Sequence, residues 1–136
     1  RKYPLPDRYY EIWQKVLSTE KRAHATLVAS GGYITEEEKD YLARIANKLK
    51  RWRGVTLVVV WAIVDDDRLT VKARSTDPSD DLSEVLKRKF GKIYAGAKTG
   101  AGGAEIPLEA LRPSLSSRDH LLAFLSAKMN DLFHGV

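Results

Sequence analysis

The sequence predicts a single α/β domain, a central mixed β-sheet with helices on both faces, and three observations carry that prediction. Residues 55–64 (VTLVVVWAIV) are β-branched and almost unbroken, as in a strand buried on both sides. Stretches with apolar residues at helical spacing lie before and after it. A chain of 136 residues, 43% hydrophobic and 30% charged, has the size and balance of one globular domain. Such a domain buries roughly two thirds of its extended-chain surface and needs no metal or disulfide to fold.

Residues 1–21 read as a leader and helix, started by Pro6 and Asp7, with Tyr10, Trp13 and Leu17 at helical spacing. Residues 25–29 form a short apolar strand ended by Gly31 and Gly32. Thr35-Glu36-Glu37-Glu38 is a capping box, in which the threonine and the third-position glutamate satisfy each other's backbone donors. The helix that follows carries Leu42, Ile45, Ala46 and Leu49 on one face. Lys48, Lys50, Arg51 and Arg53 cluster around its end, where cations complement the negative helix terminus.

Asp65, Asp66 and Asp67 turn the chain into residues 69–75, where Leu69, Val71 and Ala73 alternate with Thr70, Lys72 and Arg74. This half-polar strand forms a hairpin with the buried one, and the aspartates read as a solvated turn rather than a metal site. Pro78, Asp80 and Asp81 open a short helix with Leu82, Val85 and Leu86 inward. Its end, Lys87-Arg88-Lys89, runs into Phe90-Gly91. Residues 103–108 resume as a strand ending at Pro107. Ser116-Ser117-Arg118-Asp119 caps a last helix with Leu121, Leu122, Leu125, Leu132 and Phe133 on its apolar side. No internal repeat or low-complexity linker is present.

The net charge of +5 and a pI near 9.5 favour anionic partners modestly. The absence of cysteine excludes a disulfide framework and thiolate zinc sites, and suits a reducing cytoplasm, the expected location. His24, His120 and His134 lack metal-ligand spacing. The opening Arg1-Lys2-Tyr3-Pro4 is not a signal peptide, and residues 55–64 fall far short of the ~20 a membrane helix requires. With no initiating methionine, the sequence is expected to be a piece of a longer chain.

Gly91, Gly96, Gly100, Gly102 and Gly103, with Ala95, Ala97, Ala101 and Ala104, leave one segment almost without side chains. Glycines let backbone N–H groups approach an anion, and Lys98 in the middle supplies a mobile cation, with Lys89 and Lys92 at the approach. On spacing alone, a flexible surface loop with Lys98 at its tip is nearly as good a reading. The Gly-Lys-Ser/Thr ending of a P-loop is missing, and the segment enters a strand rather than a helix, unlike a dinucleotide fingerprint.

Ala95-Gly96-Ala97-Lys98-Thr99-Gly100-Ala101-Gly102-Gly103 resembles the Gly-Gly-Gly-His-x-x-Ala-Gly-Gly signature of the DHHA1 domain, the C-terminal half of DHH-family phosphoesterases. Val85 to Gly91 is similar to the helix and Phe-Gly leading into that signature, and Leu69 to Ser75 to the family's strand ending in Arg-Ser. The likeness runs over about residues 20–107, so that 1–21 would connect from an absent catalytic domain and 22–136 would form the substrate-binding domain. The resemblance implies phosphorylated substrates held in a cleft between two domains. Two divalent metals, manganese or magnesium, would sit on the N-terminal domain, and none on this chain. Carried onto this sequence, Arg74 grips a phosphate or carboxylate, a role its planar guanidinium suits. Ser75 adds a hydroxyl, and the backbone of Gly96, Gly102 and Gly103 lines the cleft. Lys98 stands where the family has histidine, so it is expected to hold phosphoryl charge rather than shuttle a proton.

The expected function is therefore the phosphate-gripping, substrate-binding domain of a metal-dependent phosphoesterase acting on oligonucleotides, phosphorylated nucleotides or polyphosphate. No Asp-x-Asp followed by Asp-His-His is present, so the chain alone is expected to be inactive. Expected partners are a phosphorylated small molecule or short oligonucleotide, the N-terminal domain and a second copy, and no membrane. The alternative is a non-catalytic nucleic-acid-binding module, which the basic clusters would suit. Gly100-Ala101-Gly102-Gly103 matches the Gly-x-x-Gly of KH domains, but it precedes a strand. Trp52 and Trp61 lie at or inside apolar strands, leaving no obvious exposed aromatic for single-strand binding. Ordinary roles also stay open, with Arg74 pairing to Asp77 or Asp80 and Ser75 starting the following turn.

Overall fold

The computed structural model describes residues 6–109 and 117–135. Six strands form one mixed sheet: β1 (Lys21–Ala23), β2 (Thr26–Ile34), β3 (Leu57–Val64), β4 (Arg68–Ser75), β5 (Ala95–Lys98) and β6 (Ala101–Pro107). Their spatial order is β1-β2-β3-β4-β6-β5. Helices α1 (Asp7–Thr19) and α2 (Lys39–Leu49) pack on one face. Helices α3 (Leu82–Phe90) and α4 (Arg118–His134) pack on the other, which gives the expected α/β architecture.

Strand β3 runs parallel to β2 and antiparallel to β4, at the centre of the sheet. Val58, Val60, Ala62 and Val64 join the α1–α2 core, while Val59, Trp61 and Ile63 join the core under α4. Alternating side chains of one strand therefore serve both layers, which is why the segment is apolar throughout rather than every second residue. The aspartate turn also forms as expected: Asp65 and Asp66 take φ of 52° and 57°, and the Asp67 N–H donates to Val64 O at 3.1 Å.

Three sequence readings need correction. The buried stripe of α1 is Tyr9, Ile12 and Val16, whereas Tyr10 is 50% exposed and Leu17 37% exposed. The helical period is the same but its phase is one residue earlier. Strand β2 does not end at the glycine pair. It continues through a bulge, as the β3 register jumps from Ser30↔Trp61 to Tyr33↔Ile63. A Cβ on Gly31 would meet Leu42 Cδ1 at 2.9 Å, so this glycine admits close packing of α2 on the sheet. Strand β1 is unforeseen, because its hairpin turns on His24 and Ala25 at φ 51° and 69°, residues without a turn signature.

The capping box is present: the Glu38 carboxylate accepts from the Thr35 N–H and from Arg8 Nε, each at 2.9 Å. It closes a single 3-10 turn (Glu36–Glu38) ahead of α2. Helix α4 starts at Ser117, whose hydroxyl accepts from the His120 N–H at 3.1 Å. Ser116 and the leader residues 1–5 lie outside the described residues. Among the described residues no helix is long and apolar enough to cross a membrane.

Candidate functional site

The glycine-rich segment is a β-hairpin, not the expected loop. Strands β5 and β6 pair antiparallel around Thr99 and Gly100, with Gly100 at φ 74°, where only glycine is unstrained. The Ser75 N–H donates to Gly100 O at 2.9 Å and ties the hairpin tip to the end of β4. Strand β6 has neighbours on both sides, so its N–H groups serve the sheet instead of forming an anion cradle. Over the face of β6 an anion is therefore held by side chains, while β5 is the sheet's edge strand.

The strand registers place those side chains in three cross-strand rows. Thr70, Glu105 and Tyr94 form one, Lys72, Gly103 and Gly96 the next, and Arg74, Ala101 and Lys98 the third. They share the face on which Val58, Val60 and Ala62 meet α1 and α2, because Arg74, Lys72 and Thr70 pair with those residues. Helix α2 packs mainly on β3 and β4 and reaches β6 through the Lys39–Glu105 pair, leaving the β5 side of this face less covered. The result is a hollow of about 330 Å³, bordered by Lys72, Arg74, Tyr94 and residues 101–105.

Arg74 is half-buried and positioned from two sides. Its Nε donates to Asn47 Oδ1 on α2 at 2.7 Å, and its Nη1 to the Ala73 carbonyl at 2.8 Å. Nη2 makes no hydrogen bond, and no carboxylate lies within ion-pair reach, among the described residues. The pairing with Asp77 or Asp80 that the sequence left open is therefore not made. Burial pushes the Arg74 pKa down. Lys72, two residues earlier on the same face, makes no hydrogen bond or ion pair among the described residues either. Its pKa is also lowered, first by burial and then by the like charge of Lys39, with Glu105 offsetting and Arg74 adding to the effect. Glu105, the hollow's carboxylate, is already occupied by Lys39 Nζ and Arg68 Nε, both at 3.2 Å.

Two partly desolvated cations without an ion pair among the described residues penalise the folded state. The Lys72 pKa is lower folded than unfolded, so the penalty is full at neutral pH. It is relieved as pH rises through the folded value toward the unfolded value of 10.5. Lys72→Met keeps the alkyl stem and removes the charge. Because solvent screens a half-exposed charge, a gain of less than about 1 kcal/mol at pH 7 is expected, shrinking as pH rises through the folded pKa and lost above 10.5. Thermal unfolding of both proteins across that pH range checks it.

A larger groove of about 740 Å³ lies beyond the hairpin tip, between Ser75–Ser83 and residues 97–100. Asp77, Asp80 and Asp81 line it against the single cation Lys98. That balance repels phosphate, so the smaller hollow is the better anion site despite its size. Ser75 belongs to this groove: its hydroxyl donates to Asp80 Oδ2 at 3.0 Å and accepts from the Asp77 N–H at 3.3 Å, holding the turn into α3. Lys98 is exposed at the rim, in the Arg74 row and also along the groove. Gly102 and Gly103 line the hollow, and Gly96 faces open space. Among the described residues no three His, Cys, Asp or Glu side chains converge as metal ligands.

Sequence reasoning missed Lys72 and Tyr94. The alternation of β4 places Lys72 beside Arg74, but no sequence signal shows that the β5 side of this face stays less covered.

No protein-family model matches this sequence, and no curated protein does either. Solved structures do match its fold. An exopolyphosphatase-related protein from Bacteroides fragilis aligns at 13% identity with a TM-score of 0.58, over 95% of this chain and 36% of that one. An uncharacterized protein from Helicobacter pylori aligns at 10% identity with a TM-score of 0.53, over 93% and 31%. A pGpG-specific phosphodiesterase from Vibrio cholerae aligns at 11% identity with a TM-score of 0.49, over 91% and 39%. The chain thus spans about a third of the length of these proteins, and its likeness to the first two is one of fold.

Proposed function

We propose that this chain is the phosphate-holding, substrate-binding part of a two-domain phosphoesterase related to the DHH family. Its fold supports this reading, being that of a portion of a larger exopolyphosphatase-related protein. The observation that carries it is the pair Lys72 and Arg74, half-buried, without a carboxylate partner, over a floor of Gly103, Ala101 and Gly96. A phosphate placed there supplies the missing counter-charge and accepts charge-assisted hydrogen bonds from the free Arg74 nitrogen and from Lys72. Lys98 would contribute a further cation from the rim. The hydrolytic step belongs to a companion N-terminal domain carrying two divalent metals, while this chain binds and orients. A second copy of the chain would pair elsewhere on the surface.

The test is a titration with a 5′-phosphorylated di-adenylate (pApA) and with the same dinucleotide lacking the phosphate. Loss of that phosphate should weaken binding at least tenfold, in line with a charged hydrogen-bond pair. Equal affinities contradict the proposal.

One observation favours the nucleic-acid-binding alternative. At the opposite edge of the sheet, Arg22 Nη2 donates to Arg53 O at 2.8 Å, drawing Lys21 and Arg22 toward the basic end of α2. Under that reading, long RNA would bind there through its backbone with strong salt dependence.

A further inference from the structure

We infer that Tyr94 is a stacking platform for a base, and that the ligand of the hollow is a nucleotide rather than inorganic polyphosphate. The inference rests on the phosphate-holding reading above and specifies what is attached to the phosphate. Tyr94 is 44% exposed, so a large, mostly apolar ring faces solvent at the border of a cationic hollow. The backbone holds Tyr94 in place: its carbonyl accepts from the Glu105 N–H at 3.0 Å, which extends the β5 register by one residue. The ring and hydroxyl make no aromatic, cation–π or hydrogen-bond contact among the described residues.

Register then fixes what surrounds the ring. Tyr94, Gly96 and Lys98 point to the same face of β5. A Cβ on Gly96 would meet nothing within 4 Å, so the surface next to the tyrosine is empty where any other residue would intrude. Lys72 and Arg74 stand two strands across and one and two rows along, roughly 12 and 16 Å away in the sheet plane. Long side chains reach into that gap from both sides. A flat, largely apolar ring at one end and cations at the other, with Gly96 and Gly103 as the floor between them and the Glu105 carboxylate turned to Lys39 and Arg68, matches a base joined to a phosphate. A polyphosphate chain gains nothing from the face of an exposed phenol ring, and only its hydroxyl could serve it. Base–aromatic stacking is tolerant of base identity, so the site is expected to discriminate weakly among bases.

The experiment measures binding of two probes, pApA and inorganic tripolyphosphate, to the wild type, Tyr94→Ala and Tyr94→Phe. Tyr94→Ala should weaken pApA about tenfold and leave tripolyphosphate unchanged, while Tyr94→Phe keeps both affinities. Unchanged pApA affinity in Tyr94→Ala, or an equal loss for both probes, overturns the stacking role. Failure of the phosphate-holding reading is distinguishable: the wild type would then bind neither probe, or Arg74→Ala would leave both unaffected, and the stacking inference falls with it. Retention of the wild-type Tm by Tyr94→Ala, expected for an exposed side chain, separates lost binding from lost folding.

Discussion

Gly103→Ala is expected to destabilise the domain by about 2–3 kcal/mol, lowering its Tm by roughly 10 °C. Strand β6 is held between β4 and β5, and an added Cβ would strike the Val71 carbonyl oxygen of β4. Backbone on both sides leaves nowhere for β6 to retreat without breaking ladder hydrogen bonds. Gly102 is similarly confined, since its Cβ would collide with the Ala97 side chain and approach Gly96 O at 2.7 Å. Gly96 is the contrast within the same hairpin. With open space above it, Gly96→Ala should stay within about 0.5 kcal/mol of wild type. Urea or thermal unfolding of the two variants side by side gives the comparison. Similar stabilities would show that the glycines are not required by packing.

Arg74→Ala should weaken pApA binding by about 30-fold, within the range for charged hydrogen bonds, without lowering stability. Stability is expected to hold because Arg74 makes no ion pair and its burial already opposes its charge. Arg74→Lys should recover only part of the loss. The fork that keeps Nε on Asn47 while presenting Nη2 to the hollow has no lysine equivalent. Calorimetric titration of both variants reads the affinities, and their unfolding curves confirm an intact fold. An Arg74→Ala affinity equal to wild type would remove this arginine from the site.

These two predictions concern different kinds of sequence information. Arg74 stands out in the sequence because of a short family-like motif, and the structure adds what the motif lacks: Asn47 from α2 as its positioning partner and the absence of a carboxylate. The roles of Gly96, Gly102 and Gly103 are legible only in three dimensions. Glycine and alanine carry no polar–apolar contrast, so β5 and β6 show no period-two pattern and read as a loop. Strand β3 is the opposite case, since the ten mostly β-branched residues 55–64, eight of which form β3, name a doubly buried strand directly. The α2 face and its Thr35–Glu38 cap were equally local and equally legible. Helix α1 shows the limit of periodicity, as Tyr9, Ile12, Val16 and Tyr10, Trp13, Leu17 have the same spacing and only tertiary packing chooses between them. Lys72 and Tyr94 depend on cross-strand register between segments more than twenty residues apart, together with the extent of α2, and neither is encoded locally.

A backbone amide chemical-shift titration of the wild-type chain with pApA tests the cationic face most directly. The predicted result is a set of shifts concentrated at Lys72, Arg74, Tyr94 and residues 101–105, saturating together with a single affinity. Shifts confined to Lys21, Arg22 and residues 48–53, or to the acidic groove at residues 75–83, would contradict it.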